Sequence, residues 1–176
     1  MIGSRSEQRA FEAFVADASG RLMRTAYLLS GDRGHAEDLV QSTLLRTARR
    51  WPRARRQPEA YARRVLVNLA KDRWRTLHRR VAEVAPTSIE VEVTVPDDDI
   101  VLEREGLLTA IRELPAGQRA VLVLRFFDDL SVADTAAALD CTEGTVKSQT
   151  ARALARMRSV LDPEHTQERT IADVDR

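Results

Sequence analysis

The sequence predicts an all-α protein made of two small helical domains joined by an acidic linker, and three observations carry that expectation. Apolar residues recur at three- and four-residue steps over most of the chain, the spacing of one helix face. Glycine and proline number only 7 and 6 among 176 residues, which favours helix over a loop-rich β fold. Charge is segregated: the net charge is +1, yet residues 46–80 hold thirteen basic and two acidic side chains, and residues 83–105 hold one basic and eight acidic. The length suits one ordinary domain or two small ones.

The first helix is expected over 7–30, where Phe11, Phe14, Val15, Ala18, Leu22, Ala26 and Leu29 share a face. Ser30-Gly31-Asp32 stops it, and Asp32 caps a second helix over 33–51 with Ala36, Leu39, Val40, Thr43 and Thr47 on one side. Pro52 ends that helix, and Arg-Ala-Arg-Arg-Gln-Pro over 53–58 reads as a basic loop. Pro58 suits the first turn of a third helix over 59–80. Three helices with short connections make a bundle, so 7–80 is the first domain. Residues 81–100 lose the helical period, gain Pro86, Pro96 and Asp97-Asp98-Asp99, and form the linker. Within it Ile89, Val91, Val93 and Val95 alternate with polar residues as a strand would; a lone strand is not stable, so an extended segment that pairs or docks is preferred.

The second domain, 101–161, is expected to hold helices at 101–114, 115–127, 132–139 and 143–161. Val121, Leu122, Leu124 and Phe126 are the apolar residues of the second of these. Ser131 caps the third, with Asp134 three residues on. Asp140 occupies the tight turn after it, where a glycine is common; aspartate tolerates the left-handed conformation better than most residues. Residues 162–176 are a polar tail.

A short helix, a tight turn and a longer helix is the helix-turn-helix layout, whose second helix lies in the DNA major groove. Val146, Ala153, Leu154, Met157 and Leu161 make the packing stripe of the last helix. Thr145, Ser148, Gln149 and Arg152 make a polar stripe opposite, flanked by Lys147 and Arg156 for phosphates. Arginine and glutamine can pair in bidentate fashion with guanine and adenine edges. An ordinary amphipathic hairpin is the bland alternative, and Arg119 and Arg125 on the preceding helix can be no more than solvated charge.

The basic block 46–80 is a footprint for a polyanion. Arg64, Asn68, Lys71 and Arg75 share one stripe of the third helix. Tyr61, Trp51 and Trp74 add rings that can stack on unpaired bases, though core packing is the simpler role for the two tryptophans. A net +11 over this block calls for a compensating partner, and the acidic linker is one candidate within the chain.

Other classes are disfavoured. His35, His78 and His165 are scattered, and the lone Cys141 lacks neighbouring metal ligands, so no catalytic residue, metal site or cofactor is expected and the chain is not read as an enzyme such as a nuclease. The longest aliphatic run, Ala120 to Leu124, is too short for a membrane span, and the N-terminus lacks the apolar core of a signal peptide. A cytoplasmic protein without membrane insertion is expected. Cys141 is read as a small core residue.

Three stretches together resemble the extracytoplasmic-function (ECF) group of the sigma-70 family, over roughly 7–161. AEDLVQSTLLR (Ala36 to Arg46) is similar to the region 2.2 helix that docks on the β′ clamp of RNA polymerase, with Leu44 where an aromatic is usual. YARRVLVNLAKDRWR (Tyr61 to Arg75) is similar to the segment of regions 2.3 to 2.4 that reads and melts the −10 element. Leu114 to Arg158 is similar to region 4, which reads the −35 element, with Gln149 in place of a common arginine. The absence of anything like regions 1.1 or 3 points to the ECF group.

The resemblance implies a non-catalytic initiation factor whose partners are core RNA polymerase (β′ clamp and β flap), promoter DNA and, in many members, an anti-sigma factor. It assigns Asp38, Gln41, Leu44 and Leu45 to polymerase docking. Arg53, Arg55, Arg56, Arg64, Asn68, Lys71 and Arg75 fall to the −10 element, and Arg119, Thr145, Lys147, Ser148, Gln149 and Arg152 to the −35 element. It also implies that the linker threads toward the polymerase active site. The competing reading is a helix-turn-helix regulator that never joins the polymerase; it uses the same C-terminal helices but leaves the AEDLVQ helix and the basic bundle without a purpose.

Overall fold

The computed structural model describes residues 4–83 and 99–161, with side chains described over 4–76 and 106–161. Eight helices and no strand lie among the described residues: α1 (Arg5–Ser30), α2 (Arg33–Arg49), α3 (Trp51–Ala54), α4 (Pro58–Glu83), α5 (Asp99–Glu113), α6 (Ala116–Phe126), α7 (Val132–Leu139) and α8 (Glu143–Leu161). The all-α expectation holds. The alternating segment 89–95 and the tail 162–176 lie outside the described residues.

Local chemistry sets the helix ends. Ser4 accepts a hydrogen bond from the Glu7 N–H at the start of α1, and Asp32 accepts one from His35 N–H at 2.7 Å at the start of α2. Between them Gly31 ends α1 in the left-handed conformation, φ 75°, its N–H donating to the Tyr27 carbonyl. A β-carbon on Gly31 would meet the Arg112 side chain at 3.2 Å, so the residue also gives passage to a side chain from α5. The expected loop at 53–58 is partly helical. Pro52 sits in the first turn of α3, where its missing N–H costs nothing, so the proline that stops α2 also starts a one-turn helix. Helix α4 runs through Glu83 and α5 starts at Asp99.

The N-terminal bundle packs α1, α2 and α4 around Leu22, Ala26, Leu29, Leu39, Val40, Leu66 and Val67, all buried. Each buried aliphatic side chain contributes about 1.5–3 kcal/mol. Trp51 is 2% exposed and meets Phe11 edge-on at 5.1 Å, so its role is core packing. In the C-terminal part α6 is buried over Ala120 to Leu124, and α8 packs on it through Val146, Ala153 and Met157. Leu161, expected on the packing stripe, is 49% exposed, and Phe126 is 55% exposed; each lies at the last turn of its helix.

The two parts share one apolar core rather than standing apart. Helix α1 contacts α5 and α6, and α4 contacts α6 and α7.

Candidate nucleic-acid interfaces

The helix-turn-helix is built as its sequence suggests. Ser131 accepts a bond from the Asp134 N–H at the start of α7. Asp140 adopts φ 54°, ψ 54°, the left-handed turn, and its N–H closes on the Ala136 carbonyl. Thr142 Oγ1 accepts from the Thr145 N–H at 3.1 Å in the first turn of α8. With Val146 and Ala153 fully buried, the helical period turns Thr145, Ser148 and Arg152 outward; all three are exposed, as is Lys147, and Gln149 is half-buried. Lys147, Arg152 and Arg156 take part in no ion pair among the described residues. This face presents donors at a helix N-terminal half, the arrangement that reads base edges in a groove.

The basic surface of the N-terminal bundle is different. Arg53, Arg55 and Arg56 are exposed on and just after α3, and Arg55 lies 3.7 Å from Glu7. Arg53, Arg56, Tyr61, Arg63 and Arg64 line one wall of a 760 Å³ cleft whose other wall is Leu130, Asp134 and Ala138 of the C-terminal part. On α4, Asn68 is exposed, whereas Lys71 donates to the Leu139 carbonyl at 2.5 Å and Arg64 stands 3.8 Å from Asp140. Arg75 bonds Asp72 at 2.9 Å. The anions opposite α4 thus come from the helix-turn-helix as well as from α4 itself.

Arg119, expected with the duplex contacts, is held inside the protein. Its guanidinium donates to the carbonyls of Leu29 at 3.0 Å, Leu114 at 3.3 Å and Arg112, and stacks 5.1 Å from the Trp74 ring centre. Burial pushes it below the ordinary arginine value, and the neighbouring Arg112 adds repulsion. In this arrangement it joins the two parts and does not reach outward.

Asp128, Arg63 and Thr25 were not singled out by sequence reasoning. The Asp128 carboxylate accepts from Thr25 Oγ1 at 2.6 Å and from Arg63 Nε at 3.2 Å, with side chains only 11% (Asp128) and 16% (Arg63) exposed. Arg63 also reaches Glu59, and Glu59 reaches Arg21, so an ionic chain runs from α1 through α4 to the α6–α7 turn. Nearby, Arg112 donates to the Tyr27 hydroxyl at 2.8 Å. No periodicity signals such pairs, since Arg63 and Asp128 are 65 residues apart.

A third exposed face lies on α2. Asp38, Gln41 and Leu45 (52% exposed) fall at helical spacing on the side away from the core, and Leu44 is half-buried against it. An exposed leucine flanked by polar residues suits a protein contact more than a nucleic acid. Among the described residues no helix is long and apolar enough to cross a membrane.

Two family models match the chain: sigma-70 region 2 over residues 14–80 and sigma-70 region 4 over 104–157. The chain is 38% identical to an RNA polymerase sigma-E factor of Streptomyces avermitilis, covering 90% of this chain and 89% of that one. It is 32% identical to the ECF RNA polymerase sigma factor EcfG of Rhodopseudomonas palustris, covering 77% and 76%. Among solved structures it is similar to the sigma factor RpoE of Bartonella quintana, crystallised with the anti-sigma factor NepR, at a TM-score of 0.71 and 27% identity over 88% of this chain and 98% of that one.

Proposed function

The chain belongs to the ECF group of the sigma-70 family, initiation factors that direct core RNA polymerase to promoters, and from that premise we propose how its surfaces divide the work. Residues 7–80 dock on the polymerase and capture the −10 element; residues 101–161 read the −35 element. The chain makes and breaks no bond itself, because nucleotidyl transfer belongs to the polymerase, and it works in the cytoplasm where that enzyme is. Docking falls to Asp38, Gln41 and Leu45 on α2, with Leu44 supporting them from the core side, and the β′ clamp is the surface they meet. The β flap is the second contact, on the C-terminal part.

At −35, Thr145, Ser148, Gln149 and Arg152 meet base edges while Lys147 meets phosphate. At −10, Arg64, Asn68, Lys71 and Arg75 track the strand. Arg53 and Arg56 line the cleft beside Tyr61, where a flipped base finds a ring to stack on, and the exposed Arg55 meets the strand outside it. Capturing unpaired bases offsets an unstacking cost of a few kcal/mol per base. The single observation that carries this division is the exposed polar stripe of α8, set in a helix-turn-helix and separate from the exposed face of α2. A helix-turn-helix regulator that never joins the polymerase would have no need of that second face. An anti-sigma factor is a further expected partner, supported by the solved RpoE–NepR complex.

Transcription in vitro with core polymerase and a promoter library tests the whole reading: the chain is expected to confer start sites that core alone lacks. Asp38→Ala and Gln41→Ala are each expected to weaken polymerase binding by about 1 kcal/mol or more. Holoenzyme assembly unchanged in both variants removes α2 from the docking role.

A further inference from the structure

The hydroxyls on the outer face of α8 are already oriented by the helix itself. A serine hydroxyl carries one proton and two lone pairs. Ser148 directs its proton inward: Oγ donates to the Thr145 carbonyl at 3.0 Å, a local bond that serine makes readily on a helix. The residue is exposed, so what it turns toward solvent is lone pairs alone. Its neighbours on the stripe differ. Arg152 can only donate, and Gln149 both donates and accepts. The Thr142 and Thr145 hydroxyls bond each other at 2.9 Å, and Thr142 Oγ1 also takes the Thr145 N–H. Ser148 is therefore the member of this stripe held as an acceptor.

A side chain as short as serine meets a base only where the helix lies close to the groove floor. Gly144 and Ala151, a turn before and a turn after Ser148, are both exposed, and Ala155 continues the same side. A β-carbon on Gly144 would meet nothing nearer than Thr142 Oγ1 at 3.8 Å. No bulky side chain holds α8 away from DNA at this point. In the major groove each base pair carries one exocyclic amino group, adenine N6 or cytosine N4, and its other polar atoms are acceptors. An acceptor set against those would leave lone pair facing lone pair, without a hydrogen bond.

We propose that Ser148 is a specificity-determining residue that reads an exocyclic amino group, accepting from adenine N6 or cytosine N4 while its own proton stays on the Thr145 carbonyl. Arg152, a donor one turn further along, takes the acceptor atoms of a purine. The two residues then sort neighbouring base pairs by opposite polarity. The inference rests on the assignment of α8 to the −35 element, and its test separates the two.

The full chain assembled with core polymerase is offered promoter fragments randomised over the −35 element, and bound fragments are sequenced for the parent, Ser148→Ala and Arg152→Ala. Ser148 is exposed and alanine is the better helix former, so Ser148→Ala keeps its fold. Ser148→Ala is expected to flatten the base preference at one position of the element, and Arg152→Ala at another. At the Ser148 position the amino group is then deleted, with purine in place of adenine or pyrimidin-2-one in place of cytosine. Affinities of parent and Ser148→Ala for the two duplexes form a double-mutant cycle, which cancels the loss of base pairing common to both. The deletion is expected to cost the parent about fivefold more than the variant, the discrimination of one neutral hydrogen bond. Removing instead N7 of the purine in the same pair, as its 7-deaza analogue, is expected to cost the two equally. Equal losses on amino deletion, or a coupling that appears at N7, overturn the acceptor assignment and leave α8 on the −35 element. A Ser148→Ala selection identical to the parent's, with that of Arg152→Ala altered, does the same. Identical selections in parent and both variants, or none by the parent, overturn the −35 assignment and the inference with it.

Discussion

Helices α4 and α8 are both basic and both carry a polar stripe, yet they meet their surroundings in opposite ways. On α4, Arg63, Arg64, Lys71 and Arg75 each have a partner within the chain. On α8, Lys147, Arg152 and Arg156 face outward with no ion pair among the described residues. A count of cations measures what a surface can do for a polyanion; the partners determine what it is ready to do. Under the proposed function, α8 would offer its cations to duplex DNA as they stand, whereas α4 would have to exchange internal contacts for external ones.

The contrast can be broken most forcefully at Asp128. Asp128→Ala leaves the Arg63 guanidinium and the Thr25 hydroxyl facing each other in a largely desolvated site, and is expected to cost about 3 kcal/mol. Calorimetry is expected to show a lower Tm and one transition splitting into two as the halves uncouple. A single unshifted transition would mean that Asp128 does not tie them. Next, Arg152→Ala tests whether α8 reads sequence: a loss of about 1–3 kcal/mol is expected on a matched −35 duplex and a much smaller one on a scrambled duplex. Equal losses on both would reduce Arg152 to a phosphate contact. The smallest effect sharpens the picture at Lys147. Lys147→Ala is expected to weaken duplex binding uniformly and to reduce the slope of log affinity against log salt by about 1. A sequence-dependent effect there would move Lys147 from phosphate to base.

Much of this was legible in the sequence because helix periodicity is a local property. Val132–Leu139 and Glu143–Leu161 appear where the 3.6-residue period and the Ser131 cap put them, and Asp140 takes the left-handed turn its position demands. The Pro52 segment was harder: an arginine-rich run has no apolar period to reveal a single turn of helix, and proline is compatible with both a stop and a start. The outward stripe on α8 could be named in advance because residues three and four apart must share a face; on α2 the same spacing gave the inward side, and Asp38, Gln41 and Leu45 followed from the family resemblance. Arg119 could not, since its neighbours Leu29 and Trp74 are 90 and 45 positions away in the chain. Charge placed on one helix says nothing about which helix will later lie against it, and that is why the whole set of contacts between the two parts escaped a reading of one sequence.

Gly31 gathers the local and the distant into one residue. Its backbone must take a positive φ for α1 to stop, and its bare α-carbon must leave room for Arg112 to cross from the opposite half toward the Tyr27 hydroxyl. Alanine here would meet two penalties at once, a strained backbone and a displaced crossing side chain, that no substitution elsewhere could relieve together. The position behaves as a seam allowance: where the first helix is hemmed, the two pieces of the garment are also stitched.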